Sequence, residues 1–196
     1  MKKNHISDPL ERFQEWFSDA TKTEPGLAEA MTLSTANKSG VPSSRMVLLK
    51  TADDRGFVFY TNLGSQKSEE IISNPIASLV FHWKSLKRQV CILGDVEIVS
   101  DEEADKYFST RTRPAQIGSW ASLQSQKMEN SSDLENRVAK FTADFAASEI
   151  IRPPFWSGFR VVPKKIEFWE ERPFRLHQRE VYKRTSKGWN FFYLFP

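Results

Sequence analysis

Apolar residues fall at positions 10, 13, 16, 17 and 20, so the segment from Pro9 presents one helical face until Pro25-Gly26 interrupts it. From Ala30 the period changes. Residues 30–36, 43–51, 56–61, 76–83 and 88–99 read as strands, with Asn37-Lys38-Ser39-Gly40 and Asp53-Asp54-Arg55-Gly56 as turns, so neighbouring strands are expected to pair antiparallel. One short helix follows Asn62-Leu63-Gly64, running from about Gln66 to Ser73 and ending at Asn74-Pro75.

Ser100 with Glu103 forms a capping-box signature opening a helix whose Ala104, Tyr107 and Phe108 share a face. Ser132 with Glu135 opens another, carrying Leu134, Val138, Phe141 and Phe145, and Pro153-Pro154 closes the helical section. Strands resume at 159–162, 165–170, 180–184 and 189–194, with Ser186-Lys187-Gly188 as the last turn. The chain is read as one domain over residues 1–196, mainly β with peripheral helices: an N-terminal helix and helical insertions at about 101–148. Many short antiparallel strands favour a closed or nearly closed barrel, because closure removes exposed edges. Nothing resembles the strand, glycine-rich turn and helix of a dinucleotide fold or a P-loop, so a phosphate ligand has to be held by arginine, lysine and hydroxyl groups.

Composition narrows this picture. A length of 196 residues, 39% of them apolar, builds a core without disulfides or metals. The lone Cys91 lies in Val90-Cys91-Ile92-Leu93 and reads as a buried, inert thiol. Residues 1–8 are polar and no later stretch approaches the roughly 18 apolar residues of a membrane span, so a cytoplasmic protein without membrane association is expected. A net charge of +3, from 28 basic and 25 acidic residues, is too small for a nucleic-acid surface and leaves only local anion sites. Fifteen Phe, six Trp and four Tyr furnish a flat ligand pocket, an oligomer interface or an aromatic core.

Four constellations carry candidate chemistry. In Arg45-Met46-Val47-Leu48-Leu49-Lys50 the strand is apolar at both parities, so Arg45 and Lys50 either emerge at strand ends into solvent or meet anions. Five apart, they point to opposite faces of a regular strand, and one ligand recruits both only where the strand twists, bulges or lies between two sites. In Tyr60-Thr61-Asn62-Leu63-Gly64-Ser65-Gln66-Lys67 a strand feeds a turn and a helix N-terminus, where free N–H groups favour an anion; Ser65 is the expected N-cap. Lys67 in the first turn opposes the helix dipole unless a phosphate is present, although exposed first-turn lysines are common.

In the third, Tyr107 and Arg111 are four apart and share a helix face, able to offer a hydroxyl and a guanidinium to one dianion or simply to pack on each other. Gln89 opens an apolar strand and needs a polar partner if buried. In the fourth, Arg175, His177 and Arg179 alternate and stand on one side of an extended segment, their charges separated by solvent or an anion. His177 can act as acid or base near neutral pH, but with His5 and His82 the only others, no metal site is expected; His82 reads as a strand residue with its ring hydrogen-bonded.

Taken in order, Arg45-Met46-Val47-Leu48-Leu49-Lys50, Phe59-Tyr60-Thr61-Asn62, Gly64-Ser65-Gln66-Lys67, Gln116-Ile117-Gly118-Ser119-Trp120, Glu167-Phe168-Trp169 and Arg175-Leu176-His177 resemble the pyridoxamine 5'-phosphate oxidase family over nearly the whole chain. The resemblance implies an FMN-binding split β-barrel of antiparallel Greek-key type, assembled as a homodimer with FMN at the interface. It implies FMN-dependent oxidation of pyridoxamine or pyridoxine 5'-phosphate to pyridoxal 5'-phosphate, with O2 reduced to H2O2. It assigns Arg45, Met46, Val47, Leu48, Leu49, Lys50, Tyr60, Thr61, Gln66, Lys67, Gln124 and Ser125 to FMN, with Gln89, Trp169 and Arg179 completing the flavin site, some of them from the second subunit. Lys50, Tyr107, Arg111 and Ala115 match substrate-phosphate positions, whereas Arg175 and His177 match those against the pyridine ring, positioning it and stabilising charge or assisting proton removal.

Several positions depart from the family pattern. Gln66 and Ala115 stand where the resemblance expects arginine and serine, and Gln178 where it expects aspartate; the end Tyr193-Leu194-Phe195-Pro196 lacks the usual arginine, and the N-terminal arm is short. Two alternatives stay open: a split-barrel flavin oxidase acting on a phenazine precursor, and a non-catalytic FMN- or B6-phosphate-binding protein.

Overall fold

The structure, a computed structural model, describes residues 8–196; the polar start of the chain, with His5, lies outside them. Helix α1 (Pro9–Thr23) is capped by Asp8, whose side chain accepts from the Leu10 N–H at 2.8 Å, and carries Pro9 in its first turn. Its apolar face enters the core, with Phe13 fully buried and packed edge-on to Phe57 and Phe81 at 4.9 and 5.1 Å, and Trp16 edge-on to Phe168 at 5.2 Å. Each such ring contributes about 1.5–3 kcal/mol by leaving water.

The strands are β1 (Ala30–Ala36), β2 (Pro42–Leu48), β3 (Thr51–Asp53), β4 (Gly56–Asn62), β5 (Ile76–Trp83), β6 (Arg88–Ile98), β7 (Trp156–Glu170), β8 (Gln178–Thr185) and β9 (Gly188–Tyr193). They form one antiparallel sheet in the order β2-β1-β5-β6-β7-β4-β3, with β8 and β9 continuing from β7. Buried and less buried residues alternate along β1 and β5, the period that marks them as strands.

The long β7 was expected as two strands and is one. Along one edge it follows β6; along the other, Trp156–Val161 pairs with β4 and Lys165–Glu170 pairs with β8. The register slips between Leu93 and Gly94, where β7 carries an extra residue. Only glycine fits there, because a Cβ on Gly94 would lie 2.1 Å from the Val162 carbonyl oxygen. The bulge therefore sits where β7 changes partner, dividing the molecule into a β4 side and a β8 side.

Helix α2 (Gln66–Ser73) has the expected bounds. Helix α3 (Asp101–Ser109) begins at the predicted box, the Ser100 hydroxyl accepting from the Glu103 N–H at 3.2 Å. Helix α4 (Arg113–Ala121) was not anticipated, and α5 (Ser132–Asp144) has Ser131, not Ser132, as its cap residue, with no side-chain bond from it. Phe108, Ile117, Ile150 and Trp156 form a second core beneath these helices, flanked by Tyr60, Tyr107, Trp120, Phe141 and Phe145. Leu134 and Val138 of the predicted α5 face remain 40% and 37% exposed. His82 is a strand residue as expected, and its side chain is exposed.

Candidate active site

A cavity of about 860 Å³ opens between β2, β4, α2, the end of α3 and α4. Such a volume suits a bound organic ligand, whose sites span about 300–1,000 Å³. Arg45, Met46, Val47, Leu48, Lys50, Tyr60, Thr61, Gln66, Lys67, Tyr107, Arg111, Ala115, Gln124 and Ser125 all line it. Leu49 is the exception in its run: its side chain is buried in the main core instead.

The strand parity puzzle has a local answer. β2 ends at Leu48, and the chain changes partner over two residues: the Leu49 N–H donates to Glu29 O at 2.9 Å and the Lys50 N–H to Val58 O at 2.8 Å. Because the expected 43–51 strand is broken there, Arg45 and Lys50 reach one cavity from different stretches of backbone.

One pole of the cavity is built around the start of α2. Ser65 takes the N-cap position, yet its hydroxyl does not cap the helix; it accepts from Lys67 Nζ at 3.0 Å. Lys67 is only 7% exposed and also donates to Thr61 Oγ1 at 3.2 Å and Gln124 Oε1 at 3.0 Å. Among the described residues no carboxylate pairs with it. Burial, then the charge of Arg45, pushes the Lys67 ammonium down to about 8, with Glu70 opposing. A buried cation surrounded by neutral oxygens is a site organised for an anion.

Beside it, Arg45 donates to Thr35 Oγ1 at 2.5 Å, to Ser43 Oγ, and to Glu70 Oε2 at 3.4 Å. Glu70 further accepts from Thr35, from Ser43 at 2.6 Å and from Gln66 Nε2 at 2.9 Å. Burial works to raise Glu70, but the bonds from Ser43, Thr35 and Gln66 and the Arg45 charge prevail and hold it down at about 2. Arg45 is thus oriented and partly neutralised, whereas Lys67 is left with its full charge.

The other pole lies where α3 meets α4. Tyr60, Tyr107 and Trp156 stack, Tyr60 lying 4.0 Å from Tyr107 and 5.3 Å from Trp156 between ring centroids. Burial, then Glu103 and Tyr107, raises the Tyr60 phenol to about 12, so it remains a neutral hydroxyl. Arg111 stands beyond the end of α3 and not on its face: the helix stops at Ser109 and the Arg111 N–H closes a turn on Phe108 O at 3.1 Å. Its guanidinium lies 4.8 Å over the Trp156 ring and donates to Ser119 Oγ. Burial lowers the Arg111 pKa, and no carboxylate pairs with it among the described residues; the group nonetheless stays cationic. Lys50, exposed at the cavity margin, is the third positive group.

The remaining predicted residues gather elsewhere. Gln89, Trp169 and Arg179 are register partners on β6, β7 and β8 and so form one row across the sheet. The His177 ring lies 4.6 Å from Trp169 and its Nδ1 accepts from the Arg172 N–H at 3.3 Å. Arg179 is held by Glu167 at 2.7 Å, so the segment is not the unbalanced cationic face expected. Nor is it extended: Pro173–Arg175 makes one 3-10 turn, with Phe174 and Arg175 at φ 60° and 62°. None of these five residues lines the cavity within the chain.

Cys91, expected buried, is only partly so; its Sγ accepts from Gln89 Nε2 at 3.2 Å, and burial, more than any other cause, pushes its thiol pKa up. Glu70, Ser119 and Trp156 escaped the sequence reading. Ser119 stands in the Gln116–Trp120 motif without a role of its own there, and Glu70 leaves a trace in its spacing of four from Gln66, which puts the two on one helix face.

The family model described as pyridoxamine 5'-phosphate oxidase matches residues 17–143, and a second, the pyridoxine 5'-phosphate oxidase C-terminal dimerisation region, matches residues 156–196. This chain belongs to the pyridoxamine 5'-phosphate oxidase family. It is 55% identical to the pyridoxine/pyridoxamine 5'-phosphate oxidase of Azorhizobium caulinodans over 179 residues, 91% of this chain and 84% of that one. To the enzyme of the same name from Caulobacter vibrioides it is 53% identical over 96% of this chain and 85% of the relative. Among solved structures, PhzG from Burkholderia lata 383 in complex with tetrahydrophenazine-1-carboxylic acid superposes with a TM-score of 0.92 at 30% identity, covering 98% and 95% of the two chains. No helix among the described residues is long and apolar enough to cross a membrane.

Proposed function

We propose that this chain oxidises pyridoxine or pyridoxamine 5'-phosphate to pyridoxal 5'-phosphate, with FMN as cofactor, as a homodimer whose active sites draw on both subunits. The observation that carries this is that Lys67 with Arg45 at one pole, Arg111 at the other and Lys50 at the margin all line one cavity. A reaction between two phosphate-bearing molecules needs two anion anchors, and family membership supplies the chemistry that joins them.

The donor set fits FMN. Lys67, Arg45, Thr61, Gln124 and Ser125 offer a buried cation, a fixed guanidinium and polar side chains for a phosphate and a hydroxylated chain. FMN, when bound, supplies the two-electron acceptor. Gln66 contributes a neutral amide, already donating to Glu70, so the cup relies on Lys67 for its unpaired charge.

In this reading Lys50, Tyr107 and Arg111 hold the substrate phosphate, beside the stacked aromatic wall of Tyr60, Tyr107 and Trp156. Orientation of the reacting carbon is the main contribution asked of these residues. Arg175 and His177 lie against the pyridine ring when a second subunit presents them; the match of residues 156–196 to a dimerisation region supports that origin. For pyridoxine phosphate the balance is alcohol plus O2 giving aldehyde plus H2O2. The amine additionally consumes water and releases ammonia.

The likeness to PhzG in its tetrahydrophenazine complex favours a second reading, oxidation of a phenazine precursor by the same cavity. Cationic groups at both poles favour a phosphorylated substrate. Purified protein with bound FMN is to be given both B6 substrates in air, following aldehyde and peroxide. Equal amounts of the two products are expected; appearance of neither would leave a binding protein.

A further inference from the structure

Ser119 is the only hydroxyl within α4, and it is placed at the cavity wall, 8% exposed, one turn after Ala115. Its single proton is committed: Oγ donates to the Ala115 carbonyl at 3.0 Å. A hydroxyl has one donor and two acceptor positions, so what it turns toward Arg111 is a lone pair, and the guanidinium donates to it through one of its terminal nitrogens. The backbone bond to the preceding turn also fixes the rotamer of the serine.

Arg111 is otherwise loosely constrained for a half-buried cation. It lies on a connecting turn, stacks at 4.8 Å over Trp156, and has no carboxylate among the described residues to pull it aside. The ring fixes the height of the guanidinium plane but not its rotation within that plane. Ser119 fixes the rotation, leaving the other N–H groups free to face the cavity. The contrast with Arg113 is informative, since that side chain turns away to the carbonyl oxygens of Phe145 and Ser148 on the far side of α4.

We propose that Ser119 is a positioning residue for the substrate phosphate, holding the Arg111 guanidinium in the rotation that presents its remaining N–H groups to the phosphate oxygens. This rests on the proposed function above, because it takes Arg111 as the anchor of a phosphorylated substrate. It also makes Ser119 a determinant of preference for phosphorylated over unphosphorylated ligands, acting only through Arg111.

Ser119→Ala tests this, as a small change on a helix that leaves Trp156 and α4 packing in place. At matched FMN occupancy, pyridoxal 5'-phosphate, pyridoxal and inorganic phosphate are titrated against parent and variant, with FMN affinity measured separately by flavin fluorescence. The dissociation constant for pyridoxal 5'-phosphate and the inhibition constant for inorganic phosphate are expected to rise about three- to tenfold together, the loss of one charge-assisted hydrogen bond. Pyridoxal and FMN should bind as before, and KM should change more than kcat. Unchanged binding of pyridoxal 5'-phosphate overturns the proposal, and so does equal weakening of pyridoxal and FMN, which would mean that Ser119 merely packs. A parent protein that binds pyridoxal as well as its phosphate ester would instead remove the proposed function, and this inference with it.

Discussion

The cavity wall and the segment 169–179 carry the same kinds of residue in opposite physical states. On the wall, Lys67 is 7% exposed with three hydrogen-bond partners, Arg45 is bound to Thr35, Ser43 and Glu70, and Arg111 is held between Trp156 and Ser119. On the segment, Phe174 is 92% exposed, Arg175 is exposed, and both adopt positive φ without being glycine. Side chains so constrained lose little freedom if a ligand binds there. Two strained, uncovered residues in succession are what the proposed second subunit would cover. The bulge on β7 separates the two regions, so one chain holds an anchored half and, in the proposed dimer, a presented half.

The comparison is tested most severely by mixing two inactive variants. Lys67→Met should disable the wall and Arg175→Ala the segment, each leaving oxidation at a small fraction of the parent's rate. If a site takes its wall from one subunit and its segment from the other, a mixed dimer contains one doubly damaged site and one intact site. Co-refolded mixtures are then expected to regain activity up to about half the parent rate per mixed dimer, from near zero. No recovery in dimers shown by mass to be mixed would place both halves of the site in one chain.

The two variants should also differ when studied alone. Lys67→Met removes the buried ammonium facing the proposed cofactor phosphate, and FMN affinity is expected to fall about a hundredfold, as for loss of one partner from a desolvated charge pair. Arg175→Ala should retain nearly all of its flavin while turnover falls. Flavin content by absorbance and turnover per bound flavin separate these outcomes. A flavin-free Arg175→Ala protein would assign that residue to the cofactor.

Sequence patterning reached the wall more completely than the segment, for physical reasons. The alternation along β1 and β5 and the apolar stripe of α1 are local records of burial, and their bounds follow from it. Helix α4 carries proline in its first turn, a start signal that the expected helical insertions at about 101–148 do not use. Arg111 fell outside its expected helix because the last turn of α3 closes one residue after Ser109, which side-chain spacing does not record. Alternation of Arg175 and His177 is expected because nothing in Phe174-Arg175-Leu176-His177 announces that Phe174 and Arg175 take positive φ. Residue types for the two proposed phosphate sites were thus visible, but the bond from Arg45 to Glu70 joins elements 25 residues apart and that from Arg111 to Ser119 spans eight residues across a turn, neither of which follows from periodicity.

The smallest expected effect is a pH dependence confined to the wall. Lys67 titrates at about 8 in the empty site, well below its ordinary value of 10.5, because burial penalises the charged form. A phosphate ester is a dianion above its second pKa of about 6, so around pH 7 both partners carry their charges and FMN affinity should be near its maximum. Above pH 8 the empty site loses its proton before the occupied one does. The dissociation constant is then expected to rise toward tenfold per pH unit, reaching about tenfold by pH 9. Folding stability of the FMN-free protein should move the other way. With the folded pKa below the unfolded one, the unfolded chain binds more protons between about pH 8 and 10.5, so the contribution of Lys67 to stability grows as pH rises through that window. Lys67→Met should abolish both trends, whereas Arg175→Ala should keep them, since Arg175 lies on the presented half. FMN titrations and denaturant midpoints at a series of pH values read the two signs independently. An affinity of the parent protein that stays level through pH 9 would mean that Lys67 does not carry the charge that holds the cofactor phosphate.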